Sequence, residues 1–314
     1  MWLRIAHMIK LRVFPVIFSI VMQGLPALAQ DEPRKDSELF NVNVTKFDSN
    51  ATTPALESGL INTQLKSQTP VIAQSKTFRN WIETYHKAFV LTCSNLNKAE
   101  IVEIKGAWDN SNKPLDALGI PHTTISTHKL KKYDLTNCKI LIVDCGGELS
   151  RECCQIVRDF VGAGGALIST DWALKNTVEV AFPGYIQWNH FKTKSEIVDA
   201  HFTGRDPALF SGMVSQAGWS LDIEAETIKI CKPEAVSVLA FSQGLAREEP
   251  DRLGILAVAF AFGRGRVLHL IGHYGMSNIF MLMDPAPVIG ISMRQALITN
   301  FIIAELARRT STAN

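Results

Sequence analysis

KILIVDCGGELSRECCQIVRDFVGAGGALISTDW, from Lys139 to Trp172, decides the fold. KILIVD is a short apolar run rich in β-branched residues, the composition of a strand buried on both faces. Ser150 stands where it can cap the following helix, along which Ile156, Val157, Phe160 and Val161 recur at helical spacing. Gly164 and Gly165 stop that helix, and ALIST begins a second buried strand. Two strands joined by a crossover helix lie parallel, so the stretch is a βαβ unit. Open parallel sheets bind ligands beyond the carboxyl ends of their strands. Those ends here carry Asp144, Cys145, Thr170, Asp171 and Trp172.

The same grammar extends in both directions. Upstream, EIVEIKG from Glu100 reads as a first strand and HTTIST from His122 as a second. Between them Asn110 or Ser111 caps a helix, Pro114 suits its first turn and Gly119 ends it. Downstream, ALKNTVEVAF reads as a helix that stops at Pro183 and Gly184. KSEIVDAHF, AETIKI, AVSVLAFS and LGILAVAFAF then read as strands, with turns at GRD, KPE and SQG. FGRGRVLHLIGH is a hairpin turning near Gly263 and Gly265, its two arginines solvated, and NIFMLMDPAPVIG is a loop. The last helix, SMRQALITNFIIAELARR, turns Met293, Leu297, Ile298, Phe301 and Ile302 inward. Strands and helices alternating at this spacing predict an α/β, doubly wound, mostly parallel sheet with helices on both faces and extra C-terminal strands.

The amino terminus reads differently. Arg4, Lys10 and Arg12 precede the apolar run VFPVIFSIVM, and Ala27 and Ala29 complete a small-x-small cleavage pattern, so residues 1–29 are expected to be a signal peptide. The run is about half the roughly 20 residues that cross a bilayer, which predicts export to a periplasmic or secreted location without a stable span after cleavage. An uncleaved anchor is the alternative. The leader holds three basic residues and no acidic one, so the formal +2 of the whole chain becomes 29 basic against 30 acidic residues without it. Without a basic stripe there is no electrostatic reason to expect nucleic acid as a partner. Residues 30–76 read as a polar flexible linker. Within 77–99, Phe78, Trp81, Ile82, Tyr85 and Phe89 share one face of a packing helix. The main domain is expected over 100–309, with 310–314 as a tail. Six cysteines are too few and scattered for a disulfide scaffold. Either Cys93 pairs with another, or the thiols are mostly buried and free.

Three segments resemble the class I glutamine amidotransferase-like superfamily. They are FVGAGGALIS, the corner ISTDWAL and the late strand GRGRVLHLIGHYG, within about Glu100 to His273. The resemblance implies a flavodoxin-like sheet, a nucleophile at the corner after ALIST and a histidine at the end of the late strand, here His273. Active members place a cysteine at that corner, because attack on an amide needs a thiolate held by a histidine. This chain reads Ser169, Thr170, Asp171, Trp172 there, so ordinary glutaminase chemistry is expected to be lost.

The candidate catalytic residues are therefore Thr170, Asp171, His273 and Cys145. A threonine hydroxyl needs an adjoining base, and Cys145 needs a nearby imidazole or helix start to become a thiolate. The plain alternative for Cys145 is a small residue fitted against the sheet top. For Asp171 and His273, which can together handle a proton or hold a metal, it is a structural pair. Asp109, Asn110, Asp144 and Trp172 are the candidate ligand-binding rim, although an Asx turn explains the first two equally well. His269, alternating with apolar neighbours, reads as a core histidine. No P-loop, dinucleotide fingerprint or paired-cysteine zinc motif is present, and no metal or cofactor is expected. The predicted function is a non-catalytic binding or interaction module for a small ligand or an envelope protein. The alternative is a hydrolase or metal-assisted enzyme using Asp171 and His273.

Overall fold

The structure, a computed structural model, describes residues 70–275 and 292–311. The expected signal peptide, most of the linker, the loop at 278–290 and the last residues of the tail lie outside these. No helix of the described residues is long and apolar enough to cross a membrane.

Five parallel strands form the frame: β1 (Ile101–Lys105), β2 (Thr123–Ser126), β3 (Ile140–Val143), β4 (Ala166–Thr170) and β11 (Gly265–Leu270), in the order β2-β1-β3-β4-β11. Each pair is in parallel register, for example Ile142 opposite Ile168 and His269 opposite Ser169. β3 and β4 are buried at every position, which is why both read as continuous apolar runs rather than alternating ones. Four further strands continue the sheet antiparallel: β10 (Ile255–Phe262), β9 (Val236–Phe241), β6 (Glu196–Phe202) and β7 (Gln216–Leu221). A separate ribbon pairs β5 (Ile186–Lys192) with β8 (Glu226–Ile230). The architecture is a flavodoxin-like α/β sheet with extra C-terminal strands.

The helices follow from local chemistry. α1 (Pro70–Tyr85) and α2 (Lys87–Cys93) split the expected packing helix at His86, and α1 starts inside the stretch expected to be linker. α3 (Asn112–Leu118) joins β1 to β2 and ends on Gly119 at φ 70°. α4 (Arg151–Gly162) joins β3 to β4. The Ser150 side chain accepts the Cys153 N–H at its start, and Gly164 leaves it at φ 112°. The β1→β2 and β3→β4 crossovers step in opposite directions, so right-handed connections put α3 and α4 on opposite faces.

After β4 the chain makes a π-helical turn, Leu174–Val178, into the short α5 (Glu179–Ala181), where one regular helix was expected. α6 (Gln243–Glu248) replaces the expected SQG turn, because Ser242 accepts the Leu245 N–H and caps a helix there. α7 (Met293–Ser311) buries Met293, Leu297, Ile298, Phe301 and Ile302, the inward face read from its spacing.

Arg266 is not a solvated turn residue. It lies between Glu305 at 3.2 Å and Asp206 at 3.1 Å, over the Phe301 ring. All six cysteines are free thiols.

Candidate functional site

The strand order reverses direction between β1 and β3, and in such sheets the crevice opens there, at the carboxyl ends. The segments leaving β1, β3, β4 and β11 meet at that edge through one carboxylate. Asp109, 1% exposed, accepts from the backbone N–H of Asn110 (2.7 Å), Tyr274 (3.1 Å) and Gly275 (3.0 Å), and from the Thr170 hydroxyl (2.9 Å). The Thr170 oxygen in turn accepts the Cys145 N–H at 2.9 Å. Thr170 thus donates to a carboxylate and receives from a backbone amide, and its hydroxyl braces three strand ends.

Asp144 is equally internal. It accepts from the Ser111 hydroxyl (2.5 Å) and N–H (3.2 Å). Burial, then the neighbouring charge of Asp109 and a hydrogen bond shared with Glu103, raise its carboxyl well above the usual range. Glu103, also buried, accepts from the Asn112 N–H and the Thr124 hydroxyl. Asn110 is half-buried beside this network. Asp109 and Asp144, proposed from sequence as rim residues, therefore sit beneath the rim with their oxygens engaged by the protein itself.

The corner after β4 is different in kind. Asp171 stands at φ 44°, a left-handed conformation that Asp tolerates better than most residues. It is 1% exposed, and its Oδ1 accepts the Glu226 N–H at 3.2 Å. Burial pushes its carboxyl up to about 6, against the opposing pull of His273. His273, 4% exposed, pairs through Nδ1 with Asp222 Oδ2 at 3.1 Å. Burial lowers its pKa, but Asp222, with Asp109 and Asp171, more than offsets that and leaves it raised. Cys145 completes the group: its sulfur, an Asp171 oxygen and a His273 nitrogen all lie within 4.8 Å of one another. Burial, then the Asp171 charge, push the Cys145 thiol far up. The thiolate is therefore disfavoured at this position.

The edge thus brings together three of the residues singled out from sequence, Cys145, Asp171 and His273, and uses Thr170 as a brace. Trp172 is half-buried at the rim. Its Nε1 donates to the Glu224 carbonyl at 2.9 Å, and its ring meets the half-exposed Trp108 edge-to-face at 6.0 Å. Trp108 lies over Gly146, whose φ of 74° and lack of a Cβ admit the indole. Two acids escaped the sequence reading: Asp222, which orients His273, and Glu226, pushed up to about 7 by burial and Asp171. Asp222 follows β7 and Glu226 opens β8, both far along the chain from their partners, and no local pattern announces them.

Fold and site together define an α/β protein with a flavodoxin-like core and a buried acid, thiol and imidazole group at its carboxyl edge. Sequence comparison finds no matching family model and no matching curated protein. Among solved structures, a glutamine amidotransferase from Thermotoga maritima is similar at 7% identity, over 69% of this chain and 86% of its own, with a TM-score of 0.41. A protein from Bacteroides uniformis described as ThuA-like is similar at 11% identity, over 64% of this chain and 87% of its own, with a TM-score of 0.42. A β-galactosidase from Bacillus circulans is similar at 15% identity over 68% of this chain, with a TM-score of 0.40. This chain spans 31% of that enzyme's length. Likenesses this distant concern the fold and say nothing of chemistry.

Proposed function

We propose that this is an exported protein whose carboxyl edge binds a small ligand or docks an envelope partner, and that it does not perform amidotransferase chemistry. One observation carries the reading. An aspartate occupies the left-handed corner after β4, and the nearest thiol, on the neighbouring strand end, is held protonated by burial and by that same aspartate. Attack on an amide carbonyl needs the opposite arrangement, a thiolate poised beside an imidazole. His273 is committed to Asp222, a pairing that favours its charged form and weakens it as a general base toward Cys145. The Trp108 and Trp172 rings, packed edge-to-face at the same edge, offer apolar faces against which a ligand or partner can pack.

The test is ammonia release from glutamine by the purified full chain. The expected rate equals that of buffer alone. Turnover that disappears in Cys145→Ala would overturn the reading.

The second reading is a metal-assisted hydrolase, and the juxtaposition of Asp171 with His273, itself oriented by Asp222, favours it specifically. Orientation of an imidazole by a carboxylate is common to catalytic and metal-binding histidines.

A further inference from the structure

We propose that Cys145 Sγ, the Asp171 carboxylate and the His273 imidazole form a three-ligand site for a borderline-soft divalent cation of the Zn²⁺ class. The inference rests on reading this edge as a ligand site. It goes beyond that reading by naming the ligand class and the atoms that hold it.

Three side chains of three different donor types arrive from the ends of β3, β4 and β11, and their ligand atoms lie within 4.8 Å of one another. Zinc bonds to sulfur, nitrogen and oxygen run from about 2.0 to 2.3 Å, so tetrahedral ligands stand about 3.5 Å apart. The 4.8 Å limit lies about 1.3 Å above that spacing, so binding an ion would draw the three ligand atoms inward. Each donor is almost fully buried, at 2%, 1% and 4% exposed, so the ion would be shielded from bulk water on most sides.

The donor set selects the metal. Calcium and magnesium take oxygen ligands, whereas a mixed sulfur, nitrogen and oxygen set suits zinc or its tetrahedral mimic cobalt. The charges also balance: thiolate and carboxylate neutralise the dication when imidazole is neutral. The thiol proton passes to solvent as the sulfur–metal bond forms.

The surroundings resemble those of a built site. Metal-ligating histidines characteristically give their other nitrogen to a carboxylate, and Asp222 holds His273 Nδ1 at 3.1 Å, which assigns Nε2 to the metal. The Asp171 carboxylate is fixed by the N–H groups of Glu226 and Gly272. The backbone N–H of Trp172 faces the Cys145 sulfur. Beneath them the Cys145, Thr170 and Asp109 hydrogen-bond chain fixes the spacing of the strand ends before any ion arrives. Three protein ligands leave a fourth position for water or a substrate oxygen, the pattern of zinc sites that do chemistry rather than hold a fold.

The experiment titrates the chelator-treated full chain with Co²⁺ and then displaces it with Zn²⁺, with far-ultraviolet circular dichroism to confirm folding. The expected result is one equivalent of cobalt, with a thiolate-to-cobalt charge-transfer band and the visible bands of tetrahedral coordination. The charge-transfer band should vanish in Cys145→Ser and persist in Cys231→Ala, whose thiol is exposed elsewhere. Asp222→Asn spares all three ligands, so it should retain the stoichiometry and weaken affinity by about 10- to 100-fold.

A folded chain that develops no charge-transfer band, or one whose band is lost in Cys231→Ala, overturns the metal site. Unchanged cobalt affinity in folded Asp222→Asn also overturns it. Those failures leave the glutamine assay unaffected, and Cys145-dependent ammonia release would fail the broader reading whether or not cobalt binds.

Discussion

His269→Asn isolates a single titration in the core. His269 lies on β11 with no exposed surface, and its Nδ1 meets the Ser169 hydroxyl at 2.9 Å. Nε2 has no hydrogen-bond partner among the described residues, an arrangement that a neutral ring tolerates and an imidazolium does not. Burial pushes the pKa down to about 3, whereas an unfolded histidine titrates near 6.5. Below pH 6.5 the unfolded chain takes up a proton that the folded chain refuses. The stability this residue contributes is therefore present above 6.5 and lost as pH falls toward 3. Each unit is worth about 1.4 kcal/mol, so two units, down to pH 4.5, cost about 3 kcal/mol.

Asparagine keeps a polar contact to Ser169 and cannot titrate, so its packing cost is the same at both pH values. Urea unfolding of both chains at pH 7.5 and 4.5 gives the difference in stability at each, and titrations elsewhere cancel because both chains share them. The difference should shift by about 3 kcal/mol in favour of the variant at the lower pH. A difference that stays constant within about 0.5 kcal/mol would show that His269 is charged or hydrated in the fold, and the reasoning would fail.

Two further outcomes are expected. Asp109→Ala removes the acceptor for three backbone N–H groups and one hydroxyl, each costing about 1–3 kcal/mol when buried without a partner, so thermal unfolding should show a severely destabilised or unfolded chain. A Tm within about 2 °C of the native chain would remove Asp109 from the centre of the edge. Expression with export should give a mature chain beginning at Gln30 by intact mass. Retention of residues 1–29 in membranes would instead favour an anchor.

The βαβ unit around Lys139–Trp172 was legible because its strands are buried on both faces and its helix is capped, so local composition and burial agree. β5 was not: IQWNHFK mixes polar and aromatic residues, carries His190 at φ 68°, and forms a strand only by pairing with β8 outside the main sheet. α6 was hidden because SQG has turn composition, and Leu245 burial rather than sequence pattern completes the helix. At the site, Asp171 and His273 could be read because each follows a recognisable parallel strand whose end faces the crevice. The roles of Thr170 and Asp109 could not, since a hydroxyl and a carboxylate look the same in sequence whether they meet a substrate or a backbone amide. Arg266 likewise owes its two ion pairs to Glu305 and Asp206, residues that only tertiary packing brings beside it.

The antiparallel extension is not an ornament on a self-sufficient parallel core. Asp222 reaches His273 from the far margin of the sheet, just past β7, and the Glu226 amide that steadies Asp171 opens the outlying ribbon. Trimming the chain to its five-stranded minimum would take the Asp222 carboxylate from the imidazole and one of its backbone donors from the corner acid. The extra strands thus help hold the cluster in place, and grafting the edge onto another flavodoxin-like scaffold would have to carry them along.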